Sequence, residues 1–249
     1  MNTLPSKDPK PADNIIRRCQ FGFAAPDLRA STRDNVPMAR LLPLFPLQLV
    51  AFPGTVVPLH IFEERYKTMV GDCERTGAEF GIVLAKDGGI VNAGCTVVVE
   101  NVLERYPDGR FDVLARGRRR FSLIAIDQEL EWLRGEVEFF DDEDFTPVSP
   151  QTRQKAFASW REIRTALAET GQQTVDGDPD PEHPLLSFQL AQSVGDVDFQ
   201  SAMLRSRSEA ERLKQFIEFA QEYIPRTHYT AKMKRVAPTN GAGHKPANL

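Results

Sequence analysis

Four prolines fall inside one apolar stretch, LLPLFPLQLVAFPGTVVPLHIF (residues 41–62), at positions 43, 46, 53 and 58. Proline fixes φ and has no N–H to donate, so this stretch cannot be a helix or a long central strand. What remains is a set of short strands joined by tight corners. Pro53-Gly54 is one such corner: proline presets the second position of a type II turn and glycine takes the positive φ of the third.

The texture then changes to a helical period. Phe62, Tyr66, Met69, Val70 and Cys73 recur on one face, Glu63 and Glu64 suit the positive end of the dipole, and Gly77 is the expected stop. Five β-branched and aromatic runs follow, at residues 79–85, 95–106, 110–116, 119–126 and 131–140. Pro107-Asp108-Gly109 and Gly88-Gly89 read as hairpin turns between them. Five or six strands around one helix predict a small curved sheet or a partly closed barrel. The acidic run Asp141 to Asp144 reads as a solvated linker, its spacing being unlike that of a calcium loop.

Beyond it the chain is helical, giving an α+β class overall. Ser149-Pro150 is an N-cap followed by proline at the first helical position, and Ala156, Trp160, Ile163 and Leu167 form one apolar face. Shorter helices are expected over Leu185 to Ser193 and Phe199 to Leu204. Ser208 and Glu211 are spaced like a capping box ahead of Leu213, Phe216, Ile217 and Ala220, and Pro225 is expected to end that helix near Tyr223. The resulting boundaries are an irregular arm at 1–39, a strand-rich part at 40–145, a helical part at 146–225 and a basic tail at 226–249. The arm contains one brief apolar patch, Ile15, Ile16, Phe21 and Phe23.

Charge separates these parts. The net charge is −4 over 249 residues, yet residues 1–40 carry seven Lys/Arg against four Asp/Glu and residues 225–249 carry five against none. Subtraction from the totals of 31 and 35 leaves 19 basic and 31 acidic residues in 41–224, a net of −12. A folded part of that sign disfavours nucleic acid, whose binders neutralise phosphate with Lys and Arg. No apolar run approaches the ~20 residues of a membrane helix, and the polar, Pro-rich start lacks the apolar centre of a secretion signal, so a cytoplasmic protein without a membrane partner is expected. Cys19, Cys73 and Cys95 are too far apart for a metal cluster or disulfide framework and read as reduced thiols, Cys73 and Cys95 as buried ones.

Chemistry-bearing motifs are sparse. There is no Gly-Lys-Ser/Thr phosphate loop and no G-x-S-x-G elbow. His60, His183, His228 and His244 are too dispersed for a zinc helix, so neither metal nor cofactor is expected. Arg118, Arg119 and Arg120 beside Phe121 could grip phosphate and stack on a base, the basis of an alternative RNA-binding reading. Alternate strand residues face opposite ways, however, and Asp112 and Glu104 offer cross-strand partners, so an ion network is the preferred reading.

Several motifs occur together: Leu42-Pro43-Leu44-Phe45-Pro46, Phe52-Pro53-Gly54, Pro58-Leu59-His60-Ile61-Phe62-Glu63 and Arg65-Tyr66. They are followed by Gly81-Ile82-Val83, Gly94-Cys95-Thr96, Asp108-Gly109-Arg110 and Gly117 to Phe121. In this order they resemble the N-terminal, substrate-engaging domain of the ATP-dependent protease Lon, over about residues 40–224. The resemblance implies a PUA-like β-barrel of about six short strands and one helix, followed by a helical bundle. Lon continues into an ATPase module and a peptidase module with a Ser-Lys dyad, and these 249 residues carry neither. It therefore implies recognition without hydrolysis: no catalytic residues, unfolded or extended polypeptide clients, a place in protein quality control, and a protease or chaperone as docking partner. A groove between barrel and helices is the expected seat, with Phe52, His60, Phe62 and Arg65 as peptide contacts.

Overall fold

The computed structural model describes residues 41–171 and 178–236. Prolines 43, 46 and 58 lie in two six-residue strands, β1 (Leu42–Leu47) and β2 (Val56–Ile61). The Pro53-Gly54 corner lies between them, with Gly54 at φ +77° and the Thr55 N–H donating to the Phe52 carbonyl at 3.2 Å. Helix α1 (Glu64–Thr76) stops at Gly77, which takes the left-handed conformation, and buries Tyr66, Met69, Val70 and Cys73. Strands β3 (Phe80–Lys86), β4 (Gly89–Arg105), β5 (Phe111–Asp127) and β6 (Arg134–Phe140) follow.

Two of these strands are longer than the sequence reading has them. The runs 110–116 and 119–126 are one strand, and β4 begins at Gly89 instead of Cys95. Gly117 does not interrupt β5, because its role is close approach. A Cβ there would sit 1.9 Å from the Phe52 carbonyl oxygen. The bare backbone lets the Gly117 N–H donate to Thr55 O and its carbonyl accept from Gly54 N, both at 2.9 Å. The proline corner is thereby pinned onto the middle of β5.

Strand pairing closes on itself. β5 pairs with β4, β4 with β3, β3 in parallel with β1, β1 with β6, and β6 again with β5, while β2 is added along the first half of β5. Register shifts in β4 and β5 supply the bends that such a circuit requires. A small cluster of Leu44, Val83 and Phe121 packs on one side of the strands. The Phe121 ring lies only 2.4 Å from where a Cβ on Gly94 would stand. The larger core covers the other side, joining Phe45, Ile82 and Val97 to α1 and to the helical half. β3 is buried on both sides from Phe80 to Ala85, which explains its unbroken apolar sequence.

The helical half comprises α2 (Pro150–Glu169), α3 (Leu186–Gln192), α4 (Val197–Arg205) and α5 (Glu209–Val236). Ser149 caps α2 by accepting from the Thr152 N–H at 3.1 Å, and its four expected apolar residues are buried. α5 corrects the expected end at Tyr223: it runs through Pro225 to Val236. Proline removes a single helical bond, to the Gln221 carbonyl, and both residues are exposed, so water can serve that oxygen. Past the proline, Thr227 and Ala231 are buried and His228 Nδ1 meets Glu169 Oε2 of α2 at 3.0 Å. That packing holds the added turns. The arm at 1–39, most of the tail and part of the loop after α2 lie outside the described residues.

Two glycines separate tertiary constraint from local preference. Gly117→Ala should destabilise the protein by about 2–4 kcal/mol, because a backbone atom must move to make room. Gly71→Ala, inside α1 with open space around the added methyl group, should stabilise it by up to about 1 kcal/mol. Urea denaturation of both variants checks the pair, and equal effects would contradict the close-approach reading.

Candidate binding cleft

A cleft of about 470 Å³ opens where the sheet meets the helices. Pro53, Arg118 and Arg120 line it from the sheet side, Leu185, Phe188 and Glu209 from the helices, and residues 141–148 run along its edge. Phe145 stands at the mouth with 82% of its surface exposed, close to Pro147 and Val148. Asp141 and Arg118 are also exposed here, and neither belongs to an ion pair among the described residues. The walls thus offer apolar surface together with charges of both signs, Arg153 and Asp144 lining the cleft beside Arg118 and Asp141.

The floor is a buried ion network. Arg212, on α5, is fully enclosed, and all five of its N–H donors are used. Nε donates to Ser187 Oγ at 2.8 Å, Nη1 to Asp142 Oδ1 at 2.7 Å and Ser206 O at 2.9 Å, and Nη2 to Asp142 Oδ2 at 2.7 Å and Glu209 Oε2 at 2.8 Å. Arg120 reaches the same carboxylate from β5, with Nη2 at 2.6 Å from Asp142 Oδ1 and Nη1 donating to Leu204 O and Ser206 O. Glu209 closes the network by accepting from the Ser187 N–H at 2.9 Å and its hydroxyl at 2.6 Å. Two guanidinium groups and two carboxylates balance, as burial requires. The Phe188 ring lies 4.3 Å from the Arg212 guanidinium carbon and stacks on Phe52 at 5.3 Å between centroids.

Burial alone would raise the Asp142 pKa, but the hydrogen bonds and charge of Arg212, and then those of Arg120, hold it below the ordinary carboxylate value. Asp144 is held at about 2 by hydrogen bonds from Thr146 and Ser208. The latter bond, 2.7 Å from Ser208 Oγ to Asp144 Oδ2, straps the linker to the start of α5. Asp142 and Asp144 therefore tie the acidic run to the helices, a correction of its reading as a linker held by solvent alone, while Asp141, Glu143 and Asp144 keep the exposure that reading expected.

The three arginines are also redistributed. Arg120 is buried in the network, Arg119 is exposed and lies 3.8 Å above the Phe139 ring with Glu79 3.5 Å away, and Arg118 faces the cleft. An ion network forms, but not with Asp112 and Glu104. Those acids lie at the far end of the β4–β5 ladder, where Glu104 pairs with Asp112 while Arg120 pairs with Cys95.

Of the expected peptide contacts, Phe52 is fully buried beneath the cleft and supports Phe188. His60 and Phe62 stand together elsewhere, on the outward side at the end of β2, with ring centroids 5.9 Å apart. His60 Nδ1 and Asp112 Oδ1 are 2.5 Å apart, and the Tyr106 hydroxyl donates to Asp112 Oδ2 at 2.8 Å. That bond to Asp112, reinforced by burial and Glu104, pushes Tyr106 up to about 12. Arg65 pairs with Glu63 at 2.9 Å and lies over Tyr66. Cys73 and Cys95 are buried, and burial raises them to about 11 and about 12.

Sequence reasoning missed Arg212, Glu209, Asp142 and Ser187. The available signal was helical phase: Arg212 lies four residues before Phe216, on the face that Leu213, Phe216 and Ala220 bury.

A family model described as the ATP-dependent protease La (LON) substrate-binding domain matches residues 41–222. A Lon protease of Porphyromonas gingivalis is 26% identical over 114 residues, which is 42% of this chain and 13% of that protein. Lon protease 1 of Hydrogenovibrio crunogenus is 28% identical over 103 residues, 39% of this chain and 13% of that protein. Each match therefore spans about one eighth of the relative's length. The crystal structure of a Lon N-terminal domain protein from Xanthomonas campestris superposes with a TM-score of 0.57 at 26% identity, covering 72% of this chain and 98% of that one.

Removing Arg212 leaves Glu209 buried without its cation and Asp142 with Arg120 alone. Arg212→Met should therefore cost about 3–5 kcal/mol in denaturant unfolding. Because the Asp142 pKa is depressed, its stabilisation is complete above the unfolded value of about 3.9 and lost as pH falls through the lower native value. Asp142→Asn should begin less stable and lose less on acidification below pH 4. An unchanged acid profile would contradict this role for Asp142.

Proposed function

Since the chain belongs to the family of the Lon substrate-binding domain, we propose that it is a non-catalytic module that holds unfolded or extended segments of client proteins in the cleft between sheet and helices. The observation that carries this reading is Phe145, a large aromatic side chain left 82% exposed at the mouth of that cleft. Such a side chain offers apolar contact to a client at little cost in ordering. Clients would pack apolar side chains against Phe145, Pro147 and Leu185, with Phe52 acting from beneath through Phe188. His60, Phe62 and Arg65 are the proposed contacts of a second, outlying surface.

The closed strand circuit supports a PUA-like reading of residues 40–145, with the helical partner expected at 146–225 extended by α5 to Val236. The wider role is that of a cytoplasmic adaptor in protein quality control, delivering clients to a protease or chaperone and breaking no bond itself. Of the three arginines behind the competing RNA-binding reading, Arg120 is committed to the floor and Arg119 lies against Phe139 and Glu79, which leaves Arg118 to meet phosphate.

Fluorescence anisotropy of the full chain, against a labelled permanently unfolded polypeptide and a labelled RNA oligomer at low and high salt, tests the choice. Polypeptide binding should survive salt and weaken about tenfold in Phe145→Ala, a change at an exposed position. RNA binding that falls steeply with salt, without polypeptide binding, would overturn the proposal.

A further inference from the structure

We infer that the cleft has an occupant within the chain itself: the N-terminal segment Asn14–Phe23, NIIRRCQFGF, docks there and must leave before a client enters. This rests on the client-cleft reading above. Residues 1–40 precede both the described part of the chain and the matched family region, which begins at residue 41.

Chemistry selects this segment. In an otherwise polar stretch it gathers four large apolar residues, Ile15, Ile16, Phe21 and Phe23, around Arg17 and Arg18. The cleft presents apolar surface at Phe145, Pro147 and Leu185, with the carboxylates Asp141 and Asp144 to meet Arg17 and Arg18 at its acidic edge, away from the cations Arg118 on the sheet and Arg153 on α2. Overall charge acts in the same direction, with +3 on residues 1–40 against −12 on residues 41–224. The basic end of the chain is a poorer fit, because beyond Val236 it is dominated by Gly, Pro, Asn and other small or polar residues.

Reach is sufficient. Seventeen residues separate Phe23 from Leu41 and span up to about 60 Å when extended, more than the roughly 40 Å width of a domain this size. Tethering places the segment near its site at a local concentration on the order of millimolar, so a weak intrinsic affinity is enough to fill the cleft. A client must then outcompete its own carrier.

The native cysteines provide the test. Cys19 lies in the segment, whereas Cys73 and Cys95 are buried, so a thiol reagent such as Ellman's reagent should report Cys19 on the folded full chain. Its reaction should run at least about tenfold slower than in a free peptide of residues 10–27, and recover in Phe21→Ser/Phe23→Ser and in Phe145→Ala. The doubly substituted chain should also bind the unfolded polypeptide about fivefold more tightly. A Cys19 rate equal to that of the free peptide would overturn the docking, as would protection that Phe145→Ala leaves intact or that depends on protein concentration, the mark of a second copy. If the polypeptide binds both chains equally and Cys19 reacts freely, docking fails and the client reading stands. If Cys19 is protected and released as described but no polypeptide binds, docking stands and the client reading fails.

Discussion

A guanidinium group with no exposed surface is tolerable only if every donor is filled, and Arg212 organises the molecule around that demand. Its partners come from the end of the sheet (Asp142), the start of α3 (Ser187), the connection before α5 (Ser206) and α5 itself (Glu209). Arg120 adds β5 through the shared carboxylate. Buried ion pairs are weak evidence for net stability, since desolvation offsets much of the Coulomb gain. Their geometry is nonetheless demanding. A displacement of the helices against the sheet would strand two positive and two negative groups in a dry interior, so the network sets the depth and shape of the cleft above it.

What could be read in the sequence was mostly what is decided locally. The corner at Pro53-Gly54, the glycine stop of α1, the Ser149 cap and the apolar face of α2 each follow from the residues' own backbone and packing preferences, and the structure has them all. Features decided by distant chain segments were hidden. Gly117 looks like a break in a strand until the Phe52 carbonyl is found against it. Pro225 looks like a helix end until Thr227 and Ala231 are seen buried beyond it. Asp142 looked solvated because its partner Arg212 lies 70 residues away.

The candidate contacts divide along the same line. His60 faces outward because β2 alternates, with Val57, Leu59 and Ile61 turned inward, whereas Phe62, expected on the apolar face of α1, lies before that helix begins at Glu64 and is half-buried beside His60. Phe52 belongs to the turn before that alternation begins, where no period indicates direction, and its ring faces the helices. Phe145 carried no signal at all, being a single aromatic residue in a linker whose exposure only the surrounding fold reveals.

The strand circuit has a consequence for how the protein is made. Its first strand must pair with its last, β6, so the sheet cannot close until residue 140 has left the ribosome. Asp142 then waits 70 residues for Arg212, an interval of roughly 4 to 14 s at ordinary rates of synthesis. During that time the nascent chain presents a finished sheet whose helical cover is missing, with Phe52 and Cys95 on the uncovered side. A protein read here as a holder of unfolded chains is itself, for those seconds, a chain in need of holding.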